Sequence, residues 1–212
     1  MDLSKLFPEP AAAFIQRHGS EIRLRSSVTD LEQLKGFDAT IIAVGPHQVK
    51  ALLPELALEY SYQPIYTCYL QYDERVKLPF PMLGMADGLV QWVFDRGALL
   101  GEKGRLACVI SAQGDHQQMT LDELCERCHR ELSQAIAGLG APLWSRAIGE
   151  KRATIACTPD LPRPPVEVHG CLVAGDYTDA QYPPTLEAAV RSGVRAAQHV
   201  QARFHAPSMK AA

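Results

Sequence analysis

Long apolar runs are missing from this chain. The longest, Ala39 to Gly45 and Cys171 to Gly175 among them, fall far short of the ~20 residues that cross a bilayer as a helix. Basic runs are missing too. Lys and Arg number 21 against 24 Asp and Glu, a net charge of −3, and no cluster tracks a phosphate backbone, which argues against nucleic acid as a partner. The opening Met-Asp-Leu-Ser-Lys-Leu-Phe-Pro has no charged-then-apolar leader, so the expected compartment is the cytoplasm. The histidines show neither metal-ligand spacing nor a paired nucleophile, and no metal is expected. Cys68, Cys108, Cys125, Cys128, Cys157 and Cys171 sit in apolar segments. In a reducing compartment such thiols are expected as small buried side chains rather than disulfides. What is present is 47% apolar residues over 212, enough for one good core or two small ones.

The hydrophobic periodicity has two textures. Pro8 to His18 reads as a helix that Gly19 stops, Glu21 to Arg25 as an alternating strand, and Thr40 to Val44 as a strand buried on both faces of a parallel sheet. His47 to Leu53 reads as a helix. The middle differs. Pro64 to Tyr72, Leu89 to Asp95 and Arg105 to Ser111 are strand-like, with turn residues and no helix between them, so an antiparallel or mixed sheet is expected. Thr120 and Glu123 form a capping box before a helix to Leu139, with Leu121, Leu124, Cys125, Cys128, Leu132, Ile136 and Leu139 on one face. Lys151 to Thr158 alternates, and Pro159 to Pro165 is a proline-rich connection. Then the first texture returns. Cys171 to Gly175 reads as a buried strand and Asp176 to Pro183 as a loop. Pro184 to Phe204 reads as a helix with Leu186, Ala189, Val190, Gly193, Val194, Ala197 and Val200 on one face.

The stretch richest in chemistry is Leu172-Val-Ala-Gly-Asp-Tyr-Thr followed by Tyr182-Pro-Pro-Thr-Leu-Glu-Ala-Ala-Val-Arg-Ser-Gly. A buried strand delivers Gly175 and Asp176 at its C-terminal end, where open α/β sheets place ligands. Gly175 permits close approach to the backbone, and Asp176 can accept hydrogen bonds from sugar or ribityl hydroxyls. The next helix offers unpaired amides and a partial positive charge at its start. One rival motif, Cys125-Glu-Arg-Cys128-His129, matches covalent haem attachment. Both cysteines, however, fall on the apolar face of a capped helix, which favours a place in the core.

The Ala-Gly-Asp strand end and the Thr-Leu-Glu-Ala-Ala-Val-Arg-Ser-Gly helix resemble the C-terminal FAD-binding motif of the amine-oxidase and phytoene-desaturase superfamily. Pro81-Met-Leu-Gly, Gln91-Trp-Val-Phe-Asp-Arg-Gly, Glu150-Lys-Arg-Ala-Thr and Gly175-Asp-Tyr-Thr with Tyr182-Pro are similar to the hydroxysqualene dehydroxylases, squalene-associated FAD-dependent desaturases of hopanoid synthesis. The similarity runs from about Leu3 to about Ala197. It implies FAD as cofactor and an α/β fold: the C-terminal part of a Rossmann-like FAD-binding domain (1–58 and 166–206) with an inserted mixed or antiparallel substrate domain (59–165) and a tail (207–212).

On this resemblance Asp176 bonds the ribityl chain. Thr185, Leu186 and Glu187 present amides to the flavin's pyrimidine end. Val28 lies near the adenine, and Gly45 and Pro46 near the dinucleotide. Trp92 and Phe94 share one strand face and line a pocket for a long isoprenoid, with Arg152 as a polar neighbour. Such a pair is more often ordinary core, and Asp95, Arg96, Lys151 and Arg152 read equally as polar groups near a reacting centre or as solvated strand ends. No catalytic residue is identified. Such enzymes also carry a Gly-x-Gly-x-x-Gly turn for the pyrophosphate, and this sequence has none, so the expectation is a C-terminal portion of the family's length.

The implied reaction is reductive dehydroxylation of hydroxysqualene to squalene. An amine oxidase, a carotenoid desaturase or a non-catalytic partner-binding module are the alternatives. An apolar substrate implies peripheral contact with the inner face of the membrane. An open parallel edge implies a homo-oligomer or a complementing N-terminal half.

Overall fold

A computed structural model of the chain describes residues 3–56 and 58–205. In chain order its elements are α1 (Leu3–Leu6), α2 (Pro8–Arg17), β1 (Thr40–Ile42), α3 (Pro46–Leu52), β2 (Tyr62–Gln71), β3 (Met82–Gly84), β4 (Trp92–Asp95), α4 (Arg96–Leu100), β5 (Arg105–Ser111), α5 (Leu121–Ala135), β6 (Trp144–Ile155), β7 (Glu167–Val168), β8 (Cys171–Val173) and α6 (Leu186–His205). They fall into two compact units, one from residues up to 25 and 63–153, the other from 26–62 and 154 onward. The divisions expected at 58/59 and 165/166 thus compare with divisions at 62/63 and 153/154. The expected tail, 207–212, lies outside the described residues.

The first unit is built on a five-stranded sheet of order β3-β4-β5-β2-β6. Its β3/β4, β4/β5 and β5/β2 pairs are antiparallel, as the succession of strands without helices predicts. Alternation decides which side is buried. Cys68, Leu70, Tyr72, Val93, Leu106, Cys108 and Ile110 point inward and α5 covers them with Leu124, Cys125, Cys128 and Leu132. Burying each such leucine contributes about 1.5–3 kcal/mol. The capping box starts α5 as expected: the Glu123 amide donates to Thr120 Oγ1 at 3.2 Å and the Thr120 amide to Glu123 Oε2 at 2.7 Å. The helix ends four residues before Leu139, because Ile136 turns to extended backbone and Gly138 is left-handed at φ +75°. Glu131, buried on the same helix, accepts from the amides of Leu89 and Val90 and from Arg127 Nε at 2.7 Å, which fixes the chain leading into β4.

The second unit has a three-stranded sheet, β1-β8-β7. β1 and β8 are parallel, with Thr40, Ile41 and Ile42 opposite Cys171, Leu172 and Val173, and β7 folds back on β8 through a turn at His169 and Gly170. One side of this sheet packs Ile42 and Val173 with Val49 of α3 and Tyr177. The other packs Leu172 and Ala174 with Ala196 of α6.

Three sequence expectations need correcting. Glu21 to Arg25 is not a strand: Leu24 is 81% exposed and Arg25 is left-handed at φ +56°. A strand needs a ladder partner, and no described strand pairs with this one. β1 is not buried on both faces, since Ile41 is 43% exposed. On α6 the buried residues are Ala188, Ser192 and Ala196, whereas Leu186, Val190 and Val194 of the expected buried face are 78%, 52% and 51% exposed. Small residues let α6 lie close to the sheet, joined there by the partly buried Val200, while Leu186, Val190 and Val194 face outward.

Candidate functional site

The C-terminal ends of β1 and β8 lie side by side, because the parallel register puts Ile42 opposite Val173. Gly45 and Pro46 follow the first strand, and Gly175 and Asp176 follow the second. The structure therefore brings four of the predicted cofactor residues to one sheet edge. A further hydrogen bond joins the two ends: the Tyr177 hydroxyl donates to the Val44 carbonyl at 3.0 Å. Gly45 caps α3, and Pro46 is buried at its first turn. Val28 lies in an irregular segment, 39% exposed, and no described contact ties it to this edge.

Gly175 has a packing reason that sequence reasoning missed. A Cβ there would stand 2.3 Å from Cε1 of Tyr177, so only glycine lets that ring fold back against the strand end. Its amide is also committed, donating to Ser192 Oγ of α6 at 2.8 Å. Asp176 is the group left over. It is half-buried, with the amide of Tyr177 and its own amide near the carboxylate. Burial, opposed by those amides and by Arg163, pushes its acid above the ordinary aspartate range.

Thr185 caps α6, its Oγ1 accepting from the Ala188 amide at 3.3 Å. Thr185, Leu186 and Glu187 are all exposed, and the Leu186 and Glu187 amides have no partner among the described residues, which leaves the positive end of the helix open. The connecting loop is held by two arginines that the sequence reading did not single out. Arg163 donates to the carbonyls of Asp176, Tyr177 and Tyr182 at 3.5, 3.1 and 3.4 Å. Arg195 pairs with Asp179 at 2.5 Å, and Asp179 also accepts from the amides of Gln181 and Tyr182. Burial opposes ionisation of Asp179, but Arg195 and the two amides outweigh it and hold the acid down at about 2. The only sequence signal was Arg191 and Arg195 one helical turn apart, both within reach of a loop carboxylate. A cleft of about 320 Å³ opens beside this loop, lined by Arg163, Tyr182, Pro183 and Pro184 but not by Asp176.

In the first unit, Trp92 and Phe94 lie on the sheet face opposite α5, at 44% exposure and half-buried respectively. Their strand register sets Gly84, Trp92, Val109 and Thr67 in one row and Met82, Phe94, Ala107 and Tyr69 in the next. That makes an apolar, partly aromatic platform. Arg152 is exposed on β6, three strand spacings from β4 and so at least about 14 Å away. Asp95 is not a solvated strand end. It is 3% exposed and accepts from the amides of Leu78 and Ala98. Arg96 pairs with Glu102 and lies over Tyr69. Two hollows of about 440 and 420 Å³ flank Arg127 on α5 and include neither Trp92 nor Phe94.

The haem-like motif resolves as core. Cys125 and Cys128 are 2% and 0% exposed, and His129 is engaged by the Tyr72 hydroxyl at 3.0 Å. Burial pushes the Cys125 thiol up to about 11, and hydrogen bonding from Cys108 raises Cys128 and from Cys128 raises Cys68, with burial adding to both, which suppresses the reactive thiolate.

Residues 7–201 match the family model described as flavin containing amine oxidoreductase. The chain belongs to that family. Among curated members, the hydroxysqualene dehydroxylase of Rhodopseudomonas palustris is 30% identical over 223 residues, which is 94% of this chain and 51% of that protein. The hydroxysqualene dehydroxylase of Sinorhizobium fredii is 29% identical over 216 residues, 92% of this chain and 50% of that protein. The chain thus spans about half the length of these family members. The fold agrees with that of a putative protoporphyrinogen oxidase from Exiguobacterium, at TM-score 0.56 and 14% identity over 78% of this chain and 41% of that one. An oxidoreductase from Methanosarcina mazei gives 0.54 and 14% over 77% and 43%. No described helix is long and apolar enough to cross a membrane.

Proposed function

We propose that this chain supplies the ribityl- and ring-binding side of an FAD site in an oxidoreductase that removes the hydroxyl of hydroxysqualene to give squalene. The observation that carries the reading is Asp176: a half-buried carboxylate just beyond the end of a parallel strand, near adjacent amides and Arg163, in a member of a flavin-dependent family. Gly175, Asp176 and the open first turn of α6 at Thr185, Leu186 and Glu187 fit the group. Asp176 keeps acceptor capacity for ribityl hydroxyls, and the helix start favours an electron-rich ring edge. FAD, when bound and reduced, would supply the hydride.

Within the chain, Arg163 and the Asp179–Arg195 pair hold the loop that carries Asp176. Gly45 and Pro46 close the neighbouring strand end, and Val28 serves the nucleotide side. The Rossmann-like assignment of the second unit belongs to this reading. In the first unit the Trp92 and Phe94 platform binds the hydrocarbon by area rather than by polar contacts, with Arg152 at its margin. Partners follow from the same reading: an isoprenoid drawn from a membrane surface, and either a second copy or a complementing half.

The test has two parts. FAD is titrated, by its visible spectrum, into the chain joined to the half of the S. fredii enzyme that it does not match. Asp176→Ala should weaken binding at least tenfold, and unchanged affinity refutes the role of Asp176. Product analysis on hydroxysqualene, phytoene and amines then separates the dehydroxylase from a carotenoid desaturase or an amine oxidase.

A further inference from the structure

We propose that a hollow between α5 and the loop after β5 is a binding site for a small monocarboxylic acid with an apolar body. Every residue lining it belongs to the first unit. It takes in neither Asp176 nor the Trp92 and Phe94 platform, so the inference stands apart from the flavin reading.

The hollow has a volume of about 440 Å³, within the roughly 300–1,000 Å³ of small-molecule sites. Its cation is Arg127. That guanidinium is held from behind, Nε donating to Glu131 Oε1 at 2.7 Å. Glu131 is buried and also accepts from the amides of Leu89 and Val90. Its charge is thus shared among three donors. The two Nη atoms of Arg127 have no hydrogen bond among the described residues. A guanidinium fixed through Nε keeps its far edge for a planar acceptor that takes two bonds, and a carboxylate is such an acceptor.

The second polar group is His116. It lines the same hollow at 4% exposure, and its Nε2 is shut off from solvent with no hydrogen-bond partner. The Tyr66 ring stands perpendicular to it, centroids 5.2 Å apart. Gly114 makes room for the imidazole, since a Cβ there would meet Nδ1 at 2.9 Å. A buried ring nitrogen left unmet costs stability, and an occupant that bonds the ring recovers it. Gln91, also in the wall, is already spent, exchanging two hydrogen bonds with the backbone of Ser111. Leu89 and Met119 give the wall its apolar stretch, so the occupant carries a hydrocarbon body beside its acid. Asp115, exposed, lines the hollow too and sets the charge: a monoanion fits, and a phosphate dianion is repelled.

The test titrates hexanoate into the isotope-labelled chain and follows the ring nitrogens of His116 by NMR, assigned through His116→Gln. Hexanol and inorganic phosphate are the comparison probes. We expect a saturable shift with hexanoate, none with hexanol, and at least tenfold weaker binding of phosphate. Arg127→Gln should weaken hexanoate at least tenfold, and Arg127→Lys should weaken it less. Met119→Glu puts a like charge in the wall at an exposed residue and leaves the Arg127–Glu131 pair in place, so it serves should Arg127→Gln fail to fold. It should weaken hexanoate at least tenfold as well. A shift that never saturates overturns the proposal. Hexanol binding equal to that of hexanoate also overturns it, because the hollow is then an apolar crevice. Phosphate binding as tightly as hexanoate removes the carboxylate class. Unchanged affinity in Arg127→Gln or in Met119→Glu places the acid elsewhere and overturns the site.

Discussion

The helices α5 and α6 each lie across a sheet, and they do it in opposite ways. On α5 the apolar stripe written in the sequence is buried apart from its first residue: Leu121 is 46% exposed, but Leu124, Cys125, Cys128 and Leu132 are each 2% exposed or less. On α6 Leu186, Val190 and Val194 face outward, and two alanines and a serine, with Val200 partly buried beside them, do the packing. A helical period shows that a face is to be buried. It does not show what buries it. The first unit satisfies its own pattern, and the second carries one that its own residues leave open.

That contrast can be broken or sharpened by substitution. The largest effect is expected at Leu132→Ala, about 2–5 kcal/mol lost in denaturant unfolding, because the neighbours of a fully buried leucine cannot collapse into the space. Asp179→Asn should cost about 2 kcal/mol at pH 7, from an acid held down at about 2 in the fold and near 3.8 when unfolded. A depressed acid stabilises above its unfolded value, so the gap should close as pH falls from 4 toward 2. A gap that persisted at pH 2 would show the Arg195 pair to be incidental.

Glu131→Gln, which loses the charge that faces Arg127 and two amides, should cost about 1–2 kcal/mol. Asp176→Asn should act in the opposite direction. Its acid is raised by burial, so the folded state binds a proton more readily than the unfolded one, and stability falls as pH rises through that window. The variant should be slightly more stable than the parent at pH 7, and equal to it once the pH lies below the unfolded value, in thermal melts across pH. Smallest of all, Val190→Ser should stay within about 0.5 kcal/mol in the free chain, since the residue is half exposed.

How much of this was legible in the residues follows from the range of the forces involved. α5 could be read with its cap because Thr120 and Glu123 are three residues apart. The strands at Ile41 and Leu172 could be read as short parallel strands, though Ile41 is exposed on one face, and Gly175 and Asp176 could be read as a strand end. Glu21 to Arg25 misled because alternation describes a strand only when a neighbour supplies the ladder. The first half of β6, Trp144 to Glu150, was passed over for the converse reason: an edge strand with mostly exposed residues carries little periodic signal. Asp179 was invisible as an anchor because its partner lies 16 residues away on another element. Gly175 was read as letting a ligand approach; that the Tyr177 ring stands where its Cβ would be could not be read from the residues alone.

The phenol of Tyr177 has a consequence for how the two strand ends respond to change. Its ring rests on Gly175, and its oxygen holds the carbonyl of Val44, so one side chain spans segments more than 130 residues apart. A methyl group added at 175 would evict the ring and cut that strap in the same stroke. Damage at the carboxylate-bearing end would then reach the Gly45 corner without any change in the residues there, and the two corners would lose their alignment together.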